Sequence, residues 1–228
     1  MDFKAGGVWL INKPAGWTSF DVVNKLRYTV TKKIGERIKV GHAGTLDPFA
    51  TGLLLVCYGK MTKRIDEFTG MDKEYTGTIM FGATTPTYDP DSEIDQTYPT
   101  AHLNKETITQ AATKFVGAIQ QIPPAYSAIK VDGNRSYDLA RKGTAVELRA
   151  RPVNVYEFEL TRIEIPEVDF RVLCSKGTYI RSLAYDLGKT VESGAYLKSL
   201  CRTKIGDFSI DNSLSIEQSV EQIKNAEV

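Results

Sequence analysis

Cysteine and histidine are scarce in this 228-residue chain, which holds Cys57, Cys174 and Cys201 and only His42 and His102. No Cys-x-x-Cys pair occurs, so no zinc site, structural or catalytic, is expected. Three reduced thiols fit a cytoplasmic protein. The N-terminus has no basic patch leading into an apolar run, which argues against a signal peptide. The longest apolar run, Leu53–Tyr58, is far too short to cross a bilayer, and no membrane partner is expected. Internal repeats and low-complexity tracts are also missing. What remains is an ordinary globular composition, 42% hydrophobic and 25% charged, long enough for one large domain or two small ones.

The net charge of +1 points to no particular partner, but its distribution is uneven. Residues 1–65 carry eleven Lys or Arg against four acids, a surplus of seven, which leaves the rest of the chain six charges negative. Such asymmetry suggests a basic face able to meet a polyanion, although a solvated lysine face has the same signature.

Periodicity and punctuation predict the elements. Gly7–Lys13 reads as a strand, followed by the turn Pro14-Ala15-Gly16. Thr18 has the features of a helix N-cap with Asp21 as the reciprocal group, Val22, Val23, Leu26 and Val30 form an apolar stripe, and Gly35 ends the segment. Residues 41–52 read as a loop, LLLVC as a buried strand, Lys60–Phe68 as a short helix and Tyr75–Phe81 as a strand. Residues 83–100, with three prolines and four acids, read as a mobile acidic loop. Asn104–Val116 is expected to be helical, and 120–143 an irregular connection with a short helix near Ser136–Arg141. Val146–Ile165 and Val168–Ser175 read as strands, Thr178–Lys189 as a helix, 205–210 as a last strand, and Ser215–Asn225 as a helix capped by Ser215. This mixed order without strict βαβ alternation predicts an α+β fold on a mixed, mainly antiparallel sheet.

The stretch GHAGTLDPFATG, residues 41–52, carries the chemistry. It fits no phosphate loop, since no lysine follows Gly52 in the required place, and its glycine spacing is not that of a dinucleotide fingerprint. With a single acid it is no calcium loop. The glycines instead supply backbone freedom, and Pro48 biases Asp47 away from helix. Asp47 is the only acid between Glu36 and Asp66, amid Arg37, Lys39, Lys60, Lys63 and Arg64. A carboxylate held ionised among cations can act as nucleophile or base, or it can simply cap its own turn.

The same stretch resembles the GHxGxLDPxAxG motif of the TruB family of pseudouridine synthases. Other stretches are similar to that family in the same order: GVWLINKPAGWTS near the start, KEYTG at 73–77, QQIPPAYSAIKVDGNRSYDLARKG at 120–143 and CSKGTYIRSLAYDLG at 174–188. The resemblance runs from about residue 7 to 208. It implies a pseudouridine synthase fold in one catalytic domain over 1–228. An RNA-clamping insertion would span roughly 120–150, and no C-terminal PUA-like domain would follow.

The activity implied is isomerisation of the T-loop uridine of tRNA, position 55, to pseudouridine. The reaction breaks the C1′–N1 bond, turns the base and joins C5 to C1′, with no cofactor and no metal. By resemblance Asp47 is the catalytic carboxylate, whether it attacks the sugar, attacks the base or removes a ribose proton. Arg181 would keep the Asp47 carboxylate charged, and Tyr75 would give the flipped base a ring to lie on. Tyr179 and Leu200 would line the uracil pocket. His42 would act as an acid or base, or would wedge into the RNA loop in place of the flipped nucleotide. Lys13, Lys130 and Arg202 are candidates for phosphate contact or site support. The partner implied is the T arm of tRNA, bound by a monomer. Two alternatives are a guide-RNA-dependent synthase and an RNA-binding or folding module with little catalysis.

Overall fold

The structure is a computed structural model and describes residues 2–127, 129–131, 133–143 and 148–227, with backbone only for 130, 131, 134 and 135. In chain order the elements begin with β1 (Gly7–Lys13), α1 (Ser19–Ile34), β2 (Val40–Ala43) and β3 (Thr51–Tyr58). A 3-10 turn, Gly59–Arg64, leads into α2 (Ile65–Gly70), β4 (Lys73–Phe81), β5 (Ala83–Thr84), β6 (Gln96–Thr97), α3 (Lys105–Thr113) and β7 (Gly117–Gln121). There follow β8 (Lys130–Val131), β9 (Asn134–Arg135), α4 (Ser136–Arg141), β10 (Arg151–Glu164) and β11 (Glu167–Cys174). The chain continues through α5 (Ile180–Thr190), β12 (Ala195–Ile205), β13 (Phe208–Ser209), a 3-10 turn at Ile210–Asn212 and α6 (Ile216–Asn225). The fold is α+β, with mostly antiparallel strands and flanking helices. Among the described residues no helix is long and apolar enough to cross a membrane.

Two compact units divide the chain: Met1–Tyr75 with Leu200–Val228, and Thr76–Ser199. In the first, β3 is flanked on one edge by antiparallel β1, in register from Gly7 opposite Tyr58 to Lys13 opposite Gly52. Its other edge is shared: β2 pairs antiparallel with 55–58, and β12 pairs parallel at Cys201–Thr51 and Arg202–Gly52. The side chains of β3 alternate between two cores. Leu54 and Val56 meet Trp9, Ile11 and the inner stripe of α1 together with Ile216 and Ile223 of α6. Leu53, Leu55 and Cys57 meet Ala43, Phe68 and Ile205. The second unit has the strand order β4-β11-β10-β7, with α3, α4 and α5 and two small ribbons, β5–β6 and β8–β9.

Several expectations need correction. The stretch 41–52 is not all loop: Gly41–Ala43 lies in β2 and Thr51–Gly52 in β3, because the backbone ladder captures both ends. The 83–100 segment is not loop throughout, although Asp91, Glu93 and Asp95 are exposed. It forms the β5–β6 ribbon and buries Thr84, Thr85, Thr87 and Asp89. The eleven-residue strand β12 was not expected, and 205–210 is only its last residue, the strand β13 and the first residue of a 3-10 turn. The Lys60–Phe68 helix is a 3-10 turn running into α2, α3 stops at Thr113, and β10 starts at Arg151. Residues 146 and 147 of the expected strand lie outside the described residues.

Candidate active site

The Asp47 loop, residues 44–50, joins two strands that pair with each other. Both of its glycine hinges have left-handed backbones, Gly44 at φ 88° and Gly52 at φ 105°. At Gly52 a Cβ would lie 2.4 Å from the Arg202 carbonyl oxygen, so the parallel pairing of β3 with β12 demands glycine there. Leu46 is buried, and its backbone exchanges two hydrogen bonds with Ser19 in the first turn of α1: Leu46 N donates to Ser19 Oγ at 2.9 Å and Ser19 Oγ donates back at 3.2 Å. The Pro48 carbonyl accepts from Gly16 N at 2.8 Å. The chain on either side of Asp47 is thereby fastened to α1 and to the Pro14-Ala15-Gly16 turn.

Two buried cations grip the same loop. Lys13 is 0% exposed, and its Nζ donates to the carbonyls of Pro14 (3.0 Å), Trp17 (2.7 Å) and Pro48 (3.3 Å). Arg202 is 1% exposed; Nε donates to Leu53 O at 2.8 Å, and its terminal nitrogens donate to Thr45 O at 3.5 Å and Gly44 O at 3.2 Å. Leu53 sits between the stretches of β3 paired by β12 and by β2, so its carbonyl is one the ladders leave over. Arg202 satisfies it. Both side chains are buried, and both donate to backbone carbonyls of the loop.

His42 lies on β2 opposite Val56 and is half-buried. Burial, and secondarily the charge of Arg202, lower its pKa against a smaller opposing pull from the Gly44 backbone, so the ring is neutral at physiological pH. Leu200 is buried where β12 meets β3, and its carbonyl accepts from Thr51 Oγ1 at 3.4 Å. Tyr75 is buried on β4. Two residues before it, Lys73 is buried with its Nζ on the carbonyls of Thr69 (2.7 Å) and Met71 (2.5 Å) at the end of α2. The first unit thus contains Lys13, His42, Asp47, Tyr75, Leu200 and Arg202.

Arg181 and Tyr179 belong to the second unit. Tyr179 is the N-cap of α5, and its backbone is clamped by the buried side chain of Gln121: Tyr179 N donates to Oε1 at 2.8 Å, and Nε2 donates to Tyr179 O at 3.0 Å. Arg181, in the first turn of α5, is buried. It pairs with buried Asp89 at 3.1 Å and donates to Thr87 O at 3.0 Å and Tyr126 O at 2.9 Å. It therefore ties the Thr87–Asp89 segment and the start of the 120–143 stretch to α5. Asp89, Gln121 and Lys73 were not singled out from sequence. Asp89 was one acid among several in a stretch read as a mobile acidic loop, and nothing in local spacing marks its partner 92 residues away. Lys130 lies on β8, and its side chain falls outside the described residues.

The chain is similar to known proteins over most of its length. Residues 32–180 match the family described as TruB family pseudouridylate synthase, N-terminal domain. The tRNA pseudouridine synthase B of Flavobacterium johnsoniae is 54% identical over 225 residues, 98% of either chain. That of Phocaeicola vulgatus is 52% identical over 229 residues, covering 100% of this chain and 97% of the other. The solved structure of a Cbf5-Nop10-Gar1 complex matches with a TM-score of 0.73 at 29% identity. It covers 96% of this chain but 54% of that one, so the present chain spans about half its length. A family match over most of the chain and near end-to-end identity above one half lead to one conclusion: the chain belongs to the TruB family of pseudouridylate synthases.

Proposed function

We propose that this chain isomerises uridine 55 in the T loop of tRNA to pseudouridine, acting alone, with Asp47 as its catalytic carboxylate. The observation that carries this reading is the 54% identity, over 98% of both chains, to a relative named tRNA pseudouridine synthase B. The built loop around Asp47 supports it, because a carboxylate that acts on a sugar–base junction must be held in one position.

The target uridine leaves its stack to reach Asp47, and the Tyr75 ring receives the base. The N1–C1′ bond breaks, the base turns, C5 bonds to C1′, and the C5 proton is lost as N1 regains one. Arg181, Tyr179 and Leu200 take the roles that the family resemblance assigns them, and Lys130 meets phosphate. Lys13 and Arg202 support the loop from below. Neutral His42 wedges into the RNA loop rather than titrating during turnover, so its removal slows the reaction without abolishing it. Atoms balance within the substrate, so no co-substrate is consumed, and the proposed reaction uses no cofactor or metal. The protein works in one catalytic domain, as a cytoplasmic monomer.

The test uses an unmodified tRNA transcript with purified protein and no guide RNA. Pseudouridine is mapped as a chemical-adduct stop to reverse transcription. Wild type should give one new stop at the T-loop uridine. Asp47→Ala should lose it by on the order of a thousandfold while still binding the transcript. Tight binding by wild type without a stop would overturn the proposal in favour of a guide-dependent or purely binding role.

A further inference from the structure

Helix α1 presents its apolar stripe inward, with Val22, Val23, Leu26 and Val30 buried. Its outer face sets two aromatic rings among polar and charged side chains. Phe20 is 59% exposed and Tyr28 is 67% exposed. At 3.6 residues per turn Phe20, Asn24, Arg27 and Thr31 fall in one line, with Tyr28 and Lys32 beside it. The Arg27 guanidinium stands 5.9 Å from the centre of the Phe20 ring and donates to Asn24 Oδ1. Lys32 is exposed, and Arg37 and Lys39 are exposed just beyond the Gly35 cap. Lys33, by contrast, is spent on the Lys224 carbonyl at 2.8 Å. The only acid on the helix is Asp21, whose carboxylate accepts from Thr18 N at 2.9 Å and Thr18 Oγ1 at 2.6 Å.

We infer that this outer face of α1 is an RNA-docking surface, on which Phe20 and Tyr28 lie against bases or sugars while Arg27, Lys32, Arg37 and Lys39 meet phosphates. The inference rests on the proposal that the substrate is tRNA, and it extends contact beyond the T loop. Charge complementarity selects the occupant. These cations belong to the segment of 65 residues with a surplus of seven positive charges, and a protein-binding face would be depleted in charge at its centre. Rings interleaved with cations suit stacking and phosphate contact together. Position supports it too: Ser19, next to Phe20, is hydrogen-bonded to Leu46, next to Asp47. RNA seated at the loop can therefore continue along α1, which reaches about 18 Å from Phe20 to Lys32.

Binding is measured with fluorescently labelled full-length tRNA transcript, in the Asp47→Ala background so that no turnover intervenes. Phe20→Ser combined with Tyr28→Ser should weaken binding about tenfold. The single reversal Lys32→Glu, a surface change that leaves the core untouched, should weaken it several-fold and make its salt dependence shallower by about one phosphate contact. Melting temperatures should match the parent. Affinity within twofold of the parent for both variants overturns the inference. So does loss of self-association in sedimentation with RNA affinity unchanged, which would mean that a second copy occupies the face. If wild type makes pseudouridine and the variants bind normally, the docking surface alone fails. If wild type makes none and the variants bind weakly, the proposed reaction alone fails.

Discussion

Lys13, Lys73 and Arg202 each place a full positive charge where water does not reach, and each is bonded to backbone carbonyls. Burying a cation costs several kcal/mol unless it is hydrogen-bonded, and these side chains offset part of that cost by satisfying backbone carbonyls. Replacing Arg202 with Met strands the carbonyls of Gly44, Thr45 and Leu53. It should cost about 3 kcal/mol or more in a urea titration, with activity lost in parallel. Were Arg202 a phosphate contact, RNA affinity would drop and the urea midpoint would stay. Asp89→Ala should destabilise by about 3 kcal/mol, because it leaves the buried Arg181 guanidinium without that carboxylate. A midpoint equal to wild type would show that the pair carries no net stability.

At the scale of elements, the caps of α1 and α6 were the most legible. Thr18, Asn104 and Ser215 all cap helices with reciprocal bonds, and Gly35 closes α1 in the left-handed conformation. Thr18→Ala should lower stability by about 1 kcal/mol in thermal melts. The glycines separate by their surroundings. Gly16 and Gly52 both have positive φ, but a Cβ on Gly16 meets nothing within 4 Å, whereas one on Gly52 meets the Arg202 backbone at 2.4 Å. Gly16→Ala should therefore cost about 1 kcal/mol, and Gly52→Ala considerably more, with the ladder of β3 and β12 disrupted. Equal losses in chemical denaturation would refute the distinction. Strand β12 escaped notice because its residues, AYLKSLCRTKI, mix three cations and the hydroxyls of Ser199 and Thr203 into an apolar pattern. Tertiary burial of Arg202 overrides that local polarity.

For the molecule as a whole, pH dependence offers a test. Asp186 on α5 has its pKa raised to about 6 by burial, with only partial compensation from Lys189. Its neighbour Tyr185 stacks on Tyr88 with ring centres 3.9 Å apart. A carboxyl that holds its proton more tightly when folded than when unfolded opposes folding once it ionises. Its penalty is absent below about pH 4, grows as pH rises to about 6, and stays constant above. Asp186→Asn should thus leave stability nearly unchanged at about pH 3 and increase it at pH 7.5 by about 1 kcal/mol once solvent screening is allowed for, read as a raised melting temperature. An equal gain at both pH values would show that desolvation of the carboxylate is not the cause.

The sequence by itself determined the family motifs, the candidate carboxylate and the α+β class, because these reside in local patterns: glycine and proline placement, caps, and apolar periodicity. Only the tertiary structure decided which charges are spent on the protein itself. Lys13 and Arg202 could equally have met phosphate, and Asp89, in a tract with four acids, could equally have been solvated like Asp91, Glu93 and Asp95. Their partners are carbonyls and side chains up to 158 residues away along the chain. Burial of an ion depends on those distant groups being brought to it, and no local pattern encodes their arrival.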